Sequence, residues 1–324
     1  MFTLLVQAAA AQTAEPEAWS LDGTPLYPPT FSGLTLEALD AQLSIAKAAL
    51  RTPPTADPAK HVWLGRRIAY KWLYREALAS YSSAIATFPL DAPLLRHRGH
   101  RFITTRNFSK AEADLAKADR LINGTDDSWE PDGEPNSYNL PLSSRHFNVR
   151  YHFGLSRYLQ ADWSGAGDVY GTMATSGPFA NDESLAATAH WHYMALRRAG
   201  HLPGSAEVNA TLGPIHPGMR ALDGGPYLRL CLLYKGLAPP PDLSNASALD
   251  LATLGYGVGN WHYYNGRRAD AIDVWRRVLN TSYWAAFGYI AAEADLHRLG
   301  ARRERAQQRG GAPASGSAAP SVRM

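Results

Sequence analysis

The chain has 324 residues, of which 45% are apolar and 19% are charged, and its formal net charge is +3. These are ordinary values for a folded globular protein. Residues 301–324 hold five arginines and one glutamate and so carry +4, which leaves the remainder near −1 and gives the body of the chain no electrostatic attraction for nucleic acid.

The first 34 residues do not have the pattern of a folded domain. Residues 1–14 resemble the end of a truncated secretory signal, because a short apolar run is followed by the small residues Ala8 to Ala11, although no Lys or Arg precedes it. This favours a periplasmic or secreted protein, with a cytoplasmic one as the alternative. Residues 15–34 are rich in proline and predict an extended lead-in that lies along the first helices.

The first predicted helix runs from Leu36 to Arg51, and Thr35 is its expected N-cap. Beyond it, one pattern of glycine, small and large residues recurs. Gly65 and Gly99 are 34 positions apart, which is the spacing of stacked helix pairs. The four clear units contain Gly65, Ala77, Tyr81, Ala84 and Pro89; Gly99, Ala111, Leu115 and Ala118; Gly154, Ala166 and Tyr170; and Gly259, Ala271 and Trp275.

Weaker units lie between the clear ones, at Ser184–Gly200 and at Pro226–Gly236, and their second helices look irregular because of nearby prolines. The total expected is six or seven helix pairs. Residues 123–144 form an insertion that is too long for a turn between helices and too rich in Pro, Asp and Gly for a helix.

The acidic residues of this insertion favour a solvated loop over a calcium site, because the residue order of a calcium-binding loop is absent. Trp129 and Tyr138 could fold the insertion over one mouth of the array. At the other end of the chain, residues 301–324 are basic and of low complexity, and we expect them to be largely disordered.

The repeated units resemble the tetratricopeptide repeat superfamily. The resemblance implies an all-α fold over residues 35–300, built as a right-handed superhelical array of antiparallel helix pairs, an α-solenoid. The segments Trp63–Arg67, His97–Arg101 and Glu130–Gly133, with Gly255–Gly266 and Trp284–Asp295, are similar to bacterial, apparently exported repeat proteins that have no assigned activity.

In tetratricopeptide proteins the first helices of successive pairs line a concave groove. The family's carboxylate clamp is not expected here, because Val62 and Arg66 stand where the clamp needs other residues. The resemblance places at the groove Arg66, Tyr70, Arg96, His100, Tyr151, Tyr158, His190, Met194, Arg197, Asn260, Tyr263 and Tyr264.

The sequence contains no recognisable catalytic constellation, so no catalytic residue, metal or cofactor is predicted. Cys231 is the single cysteine, which excludes an internal disulfide and a cysteine metal site, and it is expected to be buried and inert. The histidines lack the spacing of known zinc motifs, and neither a phosphate-binding glycine loop nor a Gly-x-Ser-x-Gly elbow occurs.

The expected function is a non-catalytic scaffold or adaptor that binds a protein or peptide segment, preferably an acidic one, because aromatic rings and cations predominate at the groove positions. No nucleic-acid partner and no membrane span are expected. The alternative is a module that binds a cell-envelope glycan or another small ligand, with stacking faces from Trp191, Trp261, Trp275 and Trp284. A helical glycosidase would need two opposed carboxyl groups, and Asp223 is the sole groove candidate.

Overall fold

A computed structural model describes residues 15–133, 139–173, 176–222 and 225–310, with side chains up to residue 300. Over these ranges the chain forms thirteen α-helices and one pair of two-residue strands, so the predicted all-α class is confirmed. The antiparallel strands are β1 (Ala18–Trp19) and β2 (Pro25–Leu26). The helices are α1 (Gly33–Ala49), α2 (Pro58–Tyr70), α3 (Tyr74–Thr87), α4 (Ala92–Thr104), α5 (Phe108–Ile122), α6 (Arg145–Leu159), α7 (Trp163–Gly171), α8 (Asp182–Ala199), α9 (Ala206–Leu212), α10 (Gly225–Tyr234), α11 (Ala248–Tyr264), α12 (Arg268–Leu279) and α13 (Phe287–Gly310).

Both ends of the helical region differ from the sequence prediction. Helix α1 begins at Gly33, behind Ser32 rather than Thr35, and ends at Ala49. Helix α13 continues through Gly310, so at least the first part of the segment predicted to be disordered has a helical backbone. The signal-like residues 1–14 and the end of the tail, residues 311–324, lie outside the described residues.

Each clear repeat unit packs a glycine of its first helix against a large side chain of its second helix. A Cβ atom added to Gly65 would lie 2.2 Å from Cζ of the Tyr81 ring, which no real contact allows. The same conflict arises in the other three units, always with the residue sixteen positions later: Gly99 with Leu115 at 2.7 Å, Gly154 with Tyr170 at 2.6 Å, and Gly259 with Trp275 at 2.4 Å. The glycines therefore set how closely the paired helices approach.

The turn inside each of these pairs is also repeated. The second residue before the second helix has a positive φ angle in all four turns: 59° at Trp72, 62° at Arg106, 65° at Ala161 and 82° at Gly266. A left-handed residue at this point reverses the chain within a few residues, and three of the four positions do this without glycine.

The pairs pack in the order of the sequence. Consecutive helices contact each other from α1 to α9, and the first helices α2, α4, α6 and α8 also contact one another in turn. Among the described residues five pairs form, fewer than the six or seven expected, because no second helix follows α10 there. Residues 235–247 follow it without a helix, and the prolines at 239–241 explain this.

The last helices return to the first part of the chain. Helix α13 packs against α11 and α12 and also contacts α6. Just before α13, the Trp284 ring lies 5.1 Å from the Trp72 ring and 5.5 Å from the Tyr74 ring, so Trp284 belongs to the apolar core of the first pairs. At the start of α13, Phe287 contacts the rings of His100 and His152. The C-terminal helix thus covers part of the surface of α4 and α6, where an open groove was expected.

Candidate functional site

The insertion between α5 and α6 is closed by backbone hydrogen bonds between its two ends and contacts the segment before α8 through one aromatic ring. The backbone N–H of Glu130 donates to Ser143 O at 3.0 Å, and that of Arg145 donates to Ser128 O at 2.9 Å. The Trp129 ring meets Phe179 at 5.1 Å. Tyr138, the other aromatic residue expected to close a mouth of the array, lies outside the described residues.

Glu130 carries the main polar cluster of this region. Its carboxylate accepts hydrogen bonds from Arg96 Nη2 at 2.8 Å and Asn148 Nδ2 at 2.7 Å, and it lies 3.2 Å from His97 Nε2 and 3.8 Å from Arg66 Nη1. Only 13% of the Glu130 side chain is exposed. The expectation of a fully solvated acidic loop is therefore wrong for this residue.

The charges in the cluster are fixed by burial and by these contacts. Burial alone would raise the pKa of Glu130, but Arg96, His97 and Arg66 together hold it below its usual range, so the carboxylate is ionised. Burial, reinforced by Arg96, lowers the pKa of His97 to about 3, so its ring is neutral. A neutral ring with its proton on Nε2 donates to Glu130 and accepts from Arg96 Nη1, 2.9 Å from Nδ1.

Three adjoining cavities are lined in part by the first helices. The outer cavity, about 400 Å³, lies between α2, α4 and the insertion and has apolar walls that include Val62 and Ile122. The middle cavity, about 310 Å³, shares Arg66, Arg96 and Glu130 with it. The inner cavity, about 240 Å³, shares Tyr227 and Phe287 with the middle one. Glu130 and Phe287 thus stand at the two boundaries between neighbouring cavities.

Five of the twelve predicted groove residues line these three cavities. Arg66 and Arg96 border the outer and middle cavities, Tyr151 borders the middle one, and His100 and His190 border the inner one. A fourth cavity of about 180 Å³ is lined by Arg197, Tyr263 and Tyr264. The remaining four residues line none of these four cavities: Tyr70, Tyr158, Met194 and Asn260.

Tyr70 accepts a hydrogen bond from Arg66 Nε at 3.2 Å. The side chains of Tyr158, Met194 and Asn260 are completely buried, so these three cannot contact a ligand in this arrangement and their assignment to the groove needs correction. Asn260 Nδ2 donates a hydrogen bond to Tyr158 Oη at 2.6 Å, because α11 packs against a surface that was expected to face solvent.

Three residues of the site were missed by the sequence reasoning. Glu130 was recognised as one of the acidic residues of the insertion, but composition does not show which cationic side chain pairs with a carboxylate in a loop. Glu183, which lines the middle cavity and accepts from the backbone N–H of Leu222 at 2.9 Å, had no distinguishing signal. Phe287 had none either, because its partners lie more than a hundred residues earlier in the chain. Asp223, the carboxyl group considered for a glycosidase, lies outside the described residues.

Within the described part of the chain, no group of three or more His, Cys, Asp or Glu side chains is placed to hold a metal ion. The rings of His100 and His152 lie 4.4 Å apart, and burial lowers the pKa of both. Cys231 is buried and burial raises its pKa, as expected for an inert thiol. None of the described helices combines the length and the apolar character needed to span a membrane.

Comparison with models of known protein families found no match for this chain, and no curated protein is significantly similar to it.

Proposed function

We propose that this protein is a non-catalytic adaptor of the tetratricopeptide type, a right-handed array of helix pairs that holds an acidic segment of another protein against α2 and α4. The repeated glycine contacts and the repeated left-handed turns support the array. The contacts that Arg96 and Arg66 make with Glu130 support an acidic ligand.

The insertion of this chain already makes the contacts that we propose for the ligand. Arg66 Nη1 donates to the backbone carbonyl of Pro131 at 2.8 Å, and Arg67 Nη1 donates to that of Gly133 at 2.9 Å. Arg96 binds the Glu130 carboxylate in the same stretch. Three arginines thus hold one carboxylate and two carbonyls of a segment without helical structure, which is how a peptide is bound through both backbone and side chain.

The outer cavity would accommodate the apolar part of such a ligand. Its walls are formed largely by apolar side chains, and Trp63 is oriented there by the guanidinium of Arg66, 4.6 Å above its ring. Leu90, at the rim, is 68% exposed. A segment with an acidic residue beside apolar ones would place its carboxylate at Arg66 and Arg96, in place of Glu130, and its apolar side chains in this cavity.

A glycan ligand is less well supported. Of the four tryptophans considered for stacking on sugars, Trp191, Trp275 and Trp284 are at most 5% exposed, so their ring faces are used within the core. The guanidinium of Arg267 lies 4.3 Å above the ring of the fourth, Trp261, and so occupies one of its stacking faces. A peptide therefore suits the accessible surface better.

A binding role also suits the charge state of the site. Because its neighbours hold Glu130 ionised, it cannot act as a general acid near neutral pH. We further propose that the protein acts outside the cytoplasm, on the basis of the signal-like residues 1–14. Fractionation of cells that express the full chain, followed by mass analysis of the N-terminus, tests this localisation.

A library of random displayed peptides, selected on the intact protein, tests the ligand class. We expect enrichment of sequences that pair acidic with apolar residues. A selected peptide should bind Glu130→Gln more tightly than wild type, because the competing internal charge is gone, and Arg66→Met at least about tenfold more weakly. Arg150→Met is the matched control, since Arg150 also pairs with a carboxylate, Asp119, but lies outside the three cavities.

Peptides without acidic residues, or equal affinity for Arg66→Met and Arg150→Met, would contradict the proposal. Selective binding of cell-envelope oligosaccharides in place of peptides would favour the glycan alternative.

A further inference from the structure

The fourth cavity lies apart from the three described above, among the ends of α8 and α11 and the middle of α13. Its volume is about 180 Å³. Three arginines and one carboxylate are among its lining residues: Arg197, Arg198, Arg298 and Asp295. The described side chains that line it therefore carry a net charge of +2.

Two of the three arginines share the one carboxylate. Arg198 Nη2 lies 2.6 Å and Arg298 Nη2 lies 2.7 Å from Asp295 Oδ1. Asp295 is 1% exposed and also accepts from Tyr256 Oη at 3.0 Å, so its capacity as an acceptor is largely used.

Arg197 is a buried cation without a carboxylate partner among the described side chains. It is 9% exposed, and its guanidinium makes two hydrogen bonds, to Tyr193 Oη at 3.0 Å and to the backbone carbonyl of Tyr264 at 3.5 Å. A guanidinium offers five N–H donors, so most of its capacity is unused. The Tyr264 ring, 4.4 Å from the guanidinium, compensates part of this charge, but the unused donors and the lack of a carboxylate partner still require an explanation.

Unpartnered polar atoms concentrate on residues that line this cavity. Arg197 Nε, Arg298 Nε and the Tyr264 hydroxyl are buried without a hydrogen-bond partner, and over the described residues only Arg96 Nε shares this state. Three of these four atoms therefore belong to the lining of one small cavity.

We propose that this cavity, which we call the arginine pocket, binds a phosphate group. A phosphate dianion would balance the charge of +2, and its oxygens would accept from the unused donors of Arg197, as guanidinium groups bind phosphate. Trp163 and Tyr263 also line the pocket, with the Arg198 guanidinium 4.5 Å from each ring, and phenyl phosphate is the probe that tests for an aromatic monoester. The proposal does not depend on peptide binding, because the arginine pocket shares no lining residue with the outer, middle or inner cavity.

Thermal unfolding and titration calorimetry of the full chain test this site, with inorganic phosphate, phenyl phosphate and succinate as separate probes at constant ionic strength. We expect phosphate to raise the melting temperature of the wild type and succinate to have less effect. Tighter binding of phenyl phosphate than of inorganic phosphate would identify a monoester as the ligand, and the reverse order would identify the free anion.

Arg197→Met should weaken phosphate binding at least about tenfold. In phosphate-free buffer this variant should melt at or above the wild-type temperature, because an incompletely compensated buried charge is gone. Tyr264→Phe and Arg197→Lys make smaller changes and should weaken binding less, which keeps the test decisive if Arg197→Met does not fold. Arg276→Met is the control, since Arg276 is 65% exposed and, although it follows the lining residue Trp275, it does not itself line the pocket.

Equal phosphate binding by wild type and Arg197→Met would overturn the proposal, as would the absence of any phosphate effect. Tighter binding of succinate than of phosphate would show a carboxylate site and would also overturn it.

Discussion

Arg106, in the turn between α4 and α5, forms a buried ion pair with Glu293 of α13, with Nη2 2.6 Å from Oε2. The two side chains are 3% and 4% exposed. Glu293 Oε1 also accepts from the backbone N–H of Leu21 at 2.5 Å, and Arg106 Nη2 donates to Trp284 O at 3.0 Å. This pair thus joins the lead-in, the first helix pairs and the last helix, which are distant in sequence.

Removal of one partner of this ion pair should destabilise the whole fold. Arg106→Met leaves the Glu293 charge buried without its cation, and we expect a loss of about 3–5 kcal/mol in the free energy of unfolding. Urea denaturation measures this loss. Arg276→Met, which breaks an exposed pair with Asp273, should change stability by less than about 0.5 kcal/mol. The double variant Arg106→Met/Glu293→Gln should recover part of the loss, and equal losses for the two single arginine variants would contradict this assignment.

The crossing of α2 and α3 should not tolerate larger residues. Gly65→Ala places a methyl group against the Tyr81 ring, and Ala77→Leu enlarges a side chain that is completely buried, so each should cost about 1–3 kcal/mol. Thermal melting followed by circular dichroism measures the effect. Gly300→Ala is the control, because nothing lies within 4 Å of the added Cβ, and this change in a helix should be neutral or stabilising. An Ala77→Leu protein that melts like the wild type would show that the repeat register is wrong.

Glu130 should hold the insertion in place. Glu130→Ala removes the acceptor of Arg96 and Asn148, so the segment around Trp129 should open more often, and chymotrypsin should cleave after Trp129 roughly tenfold faster or more. Time courses of native-state proteolysis measure this rate. Asp119→Ala, which breaks the pair with Arg150, serves as the matched control and should leave the rate at Trp129 unchanged. If Glu130→Ala and wild type were cut at the same rate, Glu130 would not control the insertion.

Buried histidines should make the protein less stable in mild acid. Burial lowers the pKa of His190 to about 3, whereas an unfolded histidine titrates near 6.5. Between these values the unfolded chain binds the extra proton, so the stability that depends on neutral His190 is complete above about pH 6.5 and is lost as the pH falls. At about pH 5 the loss due to this residue is about 2 kcal/mol.

His190→Phe removes the titrating group and keeps an aromatic ring beside Tyr227 and Tyr234. The difference in unfolding free energy between about pH 7.5 and about pH 5 should therefore be smaller by about 2 kcal/mol in this variant. Urea denaturation at the two pH values measures it. An unchanged difference would show that His190 is protonated in the folded protein.

The sequence predicted the local parts of the fold well. The helices of the four clear units, the close contact at their glycines and the irregular region after α10 all follow from residue spacing, since the partners lie within one helix pair. It overestimated the number of pairs, and it predicted disorder in residues 301–310, where the backbone continues α13. Helix ends are poorly determined by local sequence, because packing against neighbours decides how far a helix continues.

The candidate site was only partly predictable. The positions of Arg66 and Arg96 followed from the repeat register, but their partner Glu130 comes from an insertion for which the repeat has no counterpart. Tyr158 and Asn260 occupy the expected helix faces, yet α11 packs against α8 and brings their side chains together in the core. Whether a repeat position faces solvent depends on elements that the repeat pattern does not describe.

The sequence alone determined that this chain forms helix pairs, because the contacts that define a pair join residues about sixteen positions apart and recur at a fixed period. The tertiary structure alone decided which distant elements pack against those pairs. Tyr158 meets Asn260 102 residues later, and Arg106 meets Glu293 187 residues later. Such distant contacts depend on the summed geometry of all intervening turns and helices, and no periodic pattern records them.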